Sequence, residues 1–371
     1  MPKRKSSFEL LRIVAMVMII AYHLTIHSSF SDQLLVPQEK LGGVLSQIYF
    51  NVFKSGGKIG VDIFCILMGY FGIYSSRKLS KIANIELQIL FYSFFGFVVF
   101  GITRFSGLRI GYKEIIYTFF PTIFERYWFM TAYMIIYILS PFINKAAVET
   151  SHKSFRSLLI ICFTLWSVIP FFTRRVGEGM FWTQLLWFFV MYLYGAYVRR
   201  FTVTVRNAKP ILALITCGYI VVTAVSSISK RQIVLMIPGY LSWSNGIYAV
   251  IFILCLFSIA VENETFYSKR INTIAGYMLG VYLFHESYFV QGFLWQRIFN
   301  TTEYWGTIKA VWISLLGVAF VLVAGSAIEM LRKKLEKGII HNKLASVIER
   351  AIESGYSTIT SLCKMVFSTT E

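Results

Sequence analysis

The sequence predicts an all-α integral membrane protein, with about ten transmembrane helices in one bundle and no extra soluble domain. Three observations carry that expectation. Of 371 residues, 56% are hydrophobic and only 15% charged, with a mean hydropathy of +0.63; a typical soluble domain carries about 25% charged residues. Apolar windows of about 19 residues, enough to cross a bilayer, recur along the whole chain. The basic residues behind a formal net charge of +18 sit between these windows, as topology signals do. That placement points to a lipid bilayer and argues against a nucleic-acid partner.

The first run, Phe8 to His27, follows a basic start at Lys3-Arg4-Lys5. It lacks a small-x-small cleavage pattern and is interrupted by Arg12, so it is expected to stay as a span. Further spans are expected near 56–75, 83–102, 126–144, 156–173, 180–198, 210–227, 245–262, 273–292 and 307–330. An even number of spans puts both termini on one side. The loops sharing that side carry the excess of Lys and Arg, so both termini are expected in the cytoplasm. Leu41 to Phe53 is amphipathic and reads as a short interfacial helix. Tyr117 to Phe124, too short to span, reads as interfacial or re-entrant. The five cysteines (Cys65, Cys162, Cys217, Cys255, Cys363) are scattered without a CxxC, so neither a disulfide framework nor a metal site is indicated.

An ionisable group inside a span is costly, about 3 kcal/mol on insertion scales, and usually faces protein or water. Arg12 and His23 lie eleven positions apart, three turns plus roughly 20°. They therefore share a helix face and stand about 16 Å apart along the axis. Alone, Arg12 reads as snorkelling to headgroups and His23 as a packing hydrogen bond; the shared face favours a site. His23 and His27, at i and i+4, suit a metal in spacing, but no Glu lies between them and carboxylates or Cys are scarce nearby, so no metal is expected. In the second span, Gly56, Gly57 and Gly60 permit close helix approach, and Asp62 is placed to pair with Lys58 four residues earlier. Arg126-Tyr127-Trp128-Phe129-Met130 opens the fourth span as an aromatic belt or a binding rim, and Pro141 is expected to close it. The ninth span holds Tyr282-Leu283-Phe284-His285-Glu286, with Tyr282 and Tyr288 three residues either side of a second buried imidazole.

These residues carry a resemblance. Arg12-x10-His23 with Tyr22 before the histidine, Gly60-Val61-Asp62-Ile63-Phe64 followed by Gly69-Tyr70, Tyr127-Trp128-Phe129-Met130 with a late Pro141, and Tyr282-Leu283-Phe284-His285 come in an order and spacing similar to the integral-membrane acyltransferase family 3, from about residue 8 to 330. Met68 departs where the family tends to have serine, and Cys65 where a phenylalanine is common; neither touches the Arg–His pair. The resemblance implies a membrane O-acyltransferase of the polysaccharide O-acetyltransferase type, multi-pass in a bacterial cell membrane. Acetyl-CoA would be the acyl donor, and a hydroxyl of a cell-surface or exported polysaccharide, or of a lipid-linked glycan, the acceptor. Residues 1–337 would form the acyltransferase domain. Residues 338–371 would form a cytoplasmic amphipathic tail, in which Ile340, Leu344, Val347, Ile348, Ala351 and Ile352 repeat at helical spacing.

The chemistry fits the residues. A neutral histidine suits proton removal from a sugar hydroxyl near neutral pH, which makes His23 the catalytic candidate, with His285 as relay or acceptor-orienting partner. Arg12 is the best-placed cation for a CoA phosphate. Asp62, Arg126, Trp128 and Tyr282 are the substrate-binding candidates. The alternative is a multi-span transporter or flippase for a glycan or lipid-linked precursor, in which Arg12, His23, Asp62 and His285 line a polar path. That reading predicts internal repeats and paired broken helices, and the two halves show no repeat. A glycan polymerase predicts a large outer loop rich in Arg and His; the loop 28–55 contains neither.

Overall fold

The computed structural model describes residues 5–28, 30–76, 78–176, 181–299, 302–336 and 339–366, and among them the fold is entirely helical. The principal helices are α1 (Ser6–His27), α2 (Leu41–Gly72), α3 (Leu79–Ile102), α4 (Trp128–Glu149), α5 (His152–Thr173), α6 (Phe181–Phe201), α7 (Ala208–Ser227), α8 (Ile247–Glu262), α9 (Met278–Glu286), α10 (Ile308–Leu335) and α11 (Ile339–Val366). Eight helical stretches are long and apolar enough to cross a membrane. They coincide with eight of the ten expected spans, α8 being preceded by short helices from Gln232. The other two expected spans are α2 and the region of α9. Both are helical, and both depart from a plain apolar rod because they carry the polar residues of the site.

α2 is the axis of the bundle. It packs against α1 and α6 most extensively and also meets α4, α7, α8 and α10. The expected interfacial helix at 41–53 is the first part of this single 32-residue helix, about 48 Å long. Nothing breaks the chain between Phe53 and Gly60, because the intervening glycines are buried against α1. A Cβ on Gly57 would stand 2.0 Å from the Cβ of Tyr22, and one on Gly60 would stand 2.5 Å from the Ala15 carbonyl. The glycines thus set the α1–α2 distance. A Gly57→Ala chain is expected to lose about 1–3 kcal/mol to overpacking, read as a lower thermal midpoint. Its turnover should fall by about tenfold or more, because Tyr22 and the adjacent His23 must shift. Unchanged melting and turnover would mean that α1 is not held this tightly.

Two further departures have simple causes. α4 does not end at Pro141 but runs on to Glu149. The ring removes the bond that residue 141 would donate to the Tyr137 carbonyl, and the Ser140 hydroxyl donates to that carbonyl instead, at 2.8 Å. The expected ninth span is broken: Ser287 is extended (φ −60°, ψ 128°), ending α9, and a new helix runs from Tyr288 to Phe293. Carbonyls of the last turn left without helical partners need donors; the Gln291 side-chain amide donates to Glu286 O at 3.1 Å, while within the helix the His285 ring adds a bond from Nδ1 to Val281 O at 2.6 Å. α9 is held from behind by the buried Glu329 of α10, which accepts from Arg332, Tyr92 and Gln88 and faces Gly280.

The stretch 117–124 falls within a short helix, Tyr112–Phe119, and the turns after it. α11 is helical as its periodicity predicts and packs against α3; the side chain of Ile340 lies outside the described residues. Cys65, Cys162, Cys217 and Cys255 are free thiols.

Candidate active site

One stripe of α1 organises the site. Lys5, Glu9, Arg12, Met16 and Ile19 recur every three or four residues, so they share a face, and all five wall a cavity of about 800 Å³. His23 is the next position on that stripe. A smaller cavity of about 280 Å³ adjoins, also walled by Arg12. The neighbouring stripe, Tyr22 and Ile26, faces a different cavity of about 450 Å³ with Lys54 and Lys58 of α2. The large cavity and this one have no wall residue in common. His23 lines neither of them.

His23 is buried, and it meets the end of α9. Its Nδ1 lies 3.0 Å from His285 Nε2 and 2.9 Å from Glu286 Oε2. His285 is fully buried and Glu286 nearly so. The proton positions follow from the one partner that only accepts. Val281 O must receive the hydrogen of His285 Nδ1, which leaves Nε2 of a neutral His285 as an acceptor. His23 then donates from Nδ1, and its Nε2 is the unprotonated nitrogen, available to take a proton. The carboxylate beside Nδ1 is placed to stabilise the imidazolium that results. This is the logic of a base oriented by a third group, built from different residues.

His27 stands next to His23, ring centroids 5.4 Å apart. Together with Glu286 they offer three ligand atoms within 4.8 Å of one another. Sequence spacing did not show this grouping, because Glu286 is remote in the chain. Two ligands of one tetrahedral zinc stand about 3.3 Å apart, whereas both contacts at His23 Nδ1 have hydrogen-bond lengths. At that nitrogen the geometry suits a proton.

The cationic end of the large cavity carries Lys5, Arg12, Lys81 and Arg199. Lys5 pairs with Glu264 and Arg12 with Glu9, while Arg12 also lies 5.6 Å from the centre of the Phe71 ring. Lys81 and Arg199 rest on the rings of Tyr137 and Tyr70. Tyr282, at the other end of the cavity wall, has a buried hydroxyl with no side-chain partner.

The remaining candidates are placed differently. Asp62 is fully buried, accepts from Ser244 at 2.7 Å and Trp187 at 3.3 Å, and lies on none of the three cavity walls. It ties α2 to its neighbours. Lys58 does not form the expected pair with it, and instead lies 4.7 Å from the centre of the Trp128 ring and 4.8 Å from that of Trp243. Trp128 therefore reaches the 450 Å³ cavity through Lys58. Arg126 is clamped between Tyr117 and Tyr288 and reaches Glu114 at 3.8 Å. The cavity it borders measures only about 20 Å³, too small for a sugar. The belt reading of Arg126 is therefore the one its surroundings favour.

Residues that the sequence left out of the site are Glu286, Lys81, Arg199 and Lys54. Glu286 did carry a signal, a carboxylate inside a span. Lys81 and Arg199 read only as topology charges.

Compared with known families, residues 5–330 match the model of the acyltransferase domain of acyltransferase family 3. No curated protein and no solved structure matches the chain.

Proposed function

From the premise that this chain belongs to acyltransferase family 3, we propose that it moves an acetyl group from acetyl-CoA to a hydroxyl of a cell-surface or exported glycan. The observation that carries this reading is the α1 stripe, whose residues Lys5 to Ile19 wall one cavity together with Lys81 and Arg199, and whose next position is the buried His23. CoA phosphates would sit at Arg12, with Lys81 and Arg199 beside it, since guanidinium and ammonium groups suit phosphate oxygens. The pantetheine arm would then extend over the roughly 16 Å to His23. The Arg12 end would face the cytoplasm, where acyl-CoA is made, and both termini would lie on that side. The acceptor would enter from the opposite cavity.

The chemistry then follows. His23 Nε2 takes the proton of the acceptor hydroxyl while that oxygen attacks the thioester carbonyl. The tetrahedral adduct collapses, the carbon–sulfur bond breaks, and the departing CoA thiolate recovers the proton from His23. The transporter reading would have a polar path from end to end. Two cavities with no wall residue in common, and a buried His–His–Glu cluster on neither wall, favour group transfer.

Membranes containing the protein, supplied with acetyl-CoA labelled in the acetyl group, are expected to pass label to extractable glycan. Arg12→Ala should raise the KM for acetyl-CoA by about tenfold or more, the worth of a hydrogen bond to a charged group. Arg12→Lys should lie between, keeping the charge but losing the fork. Movement of unlabelled glycan across the membrane without transfer of label would favour the transporter instead.

A further inference from the structure

We propose that the 450 Å³ cavity binds an acceptor bearing an anionic group, a carboxylate or a phosphate, next to the sugar hydroxyl that is acylated. This rests on the acyltransferase reading and names the chemical class of its acceptor. Lys54, Lys58 and Arg174 all line this cavity, and no Asp or Glu is among the described residues of its wall. The rest of the wall is largely apolar or aromatic, including Ile26, Leu34 and Leu35. Lys54 and Lys58 are largely withdrawn from water, and no carboxylate on the wall itself answers the three cations, so an incoming anion gains charge-assisted hydrogen bonds there.

One of these cations is also held in place. Lys58 Nζ is enclosed by the rings of Trp128, Trp243 and Tyr22, at 4.7, 4.8 and 5.6 Å from their centres, so its charge is fixed in position rather than waving in solvent. Tyr22 is the link to chemistry. It walls this cavity, and its ring lies 5.6 Å from that of His23. An acceptor anchored by its charge at Lys54 and Arg174 has aromatic faces to rest on and lies one side chain away from the base. Neutral sugars would find the same aromatic faces but nothing for the cations.

The test uses purified full-length protein at saturating labelled acetyl-CoA and three oligosaccharide acceptors of equal length. One is a neutral hexose oligomer, one contains a uronic acid, and one contains a phosphodiester. At least one charged acceptor is expected to show a kcat/KM about tenfold or more above the neutral one, the scale of a charge-assisted hydrogen bond. Which of the two leads identifies the group. In a Lys54→Gln, Arg174→Gln protein, which keeps Lys58, the ratio of charged to neutral acceptor should fall well below that of the unaltered protein. Lys54→Arg should keep the ratio, which separates loss of charge from loss of fold. Equal kcat/KM for all three acceptors in the unaltered protein would overturn the anionic acceptor while leaving acyl transfer intact. So would a preference for charge that the double substitution leaves undiminished. Transfer to none of the three, with acetyl-CoA still bound, would overturn the acyltransferase reading and this inference with it.

Discussion

Replacing His23 by Gln is expected to slow acyl transfer by at least about 100-fold, roughly 3 kcal/mol of barrier, the usual worth of a general base. The substitution is chosen to separate chemistry from packing. Gln is of similar reach and keeps both a donor and an acceptor, so the contacts to His285 and Glu286 have a substitute and the thermal midpoint should change little. An amide nitrogen, however, does not take a proton at neutral pH. His27→Gln is the control, one turn further on α1 with its ring 5.4 Å from that of His23. It should stay active if the cluster works through protons. An equal loss in both variants, together with inhibition by a chelator, would instead assign His23, His27 and Glu286 to a metal. Near-normal transfer by His23→Gln would remove it from the mechanism and leave His285 as the next base to test.

What the sequence made legible, and what it did not, divides along the range of the interactions. The bundle was legible because bilayer thickness fixes span length, and the hydropathy of α1, α3 to α8 and α10 records it. The Arg12–His23 face was legible because helix geometry alone relates residues eleven apart. The close α1–α2 packing was legible in Gly57 and Gly60. Most hidden features depended on partners distant in the chain. Pro141 is the exception, since the hydroxyl that takes over the Tyr137 carbonyl and lets α4 continue is the neighbouring Ser140. Nothing local to Leu41–Phe53 says that Phe30, Trp305 and Ser314 will pack along it as the first part of α2. Arg126 looked like a binding cation until Tyr117, Tyr288 and Glu114 closed around it. The break at Ser287 is of the same kind. An apolar run predicts a span, but the helix ends at Ser287, directly after His285 and Glu286, whose partner His23 lies on another helix.

That break makes Glu286 the second decisive residue. Glu286→Gln is expected to lower kcat by about 100-fold while changing KM for donor and acceptor little, because the carboxylate touches His23 Nδ1 rather than the reacting atoms. It acts as a positioning residue. Removing the orienting carboxylate of a histidine base has cost as much as about 10⁴-fold elsewhere, through the wrong tautomer and the lost stabilisation of the imidazolium. Here His285 also fixes the tautomer, through Nε2 at 3.0 Å from the same nitrogen, so the loss should be smaller and should come mainly from the missing charge. A structural role for Glu286 makes a different set of results. It would lower the thermal midpoint, and its effect would add to that of His23→Gln. A positioning role cannot act once its histidine is gone, so the His23→Gln, Glu286→Gln protein should be no slower than His23→Gln alone. Additive losses in that double variant, or a kcat unchanged by Glu286→Gln, would show that the base works without its carboxylate.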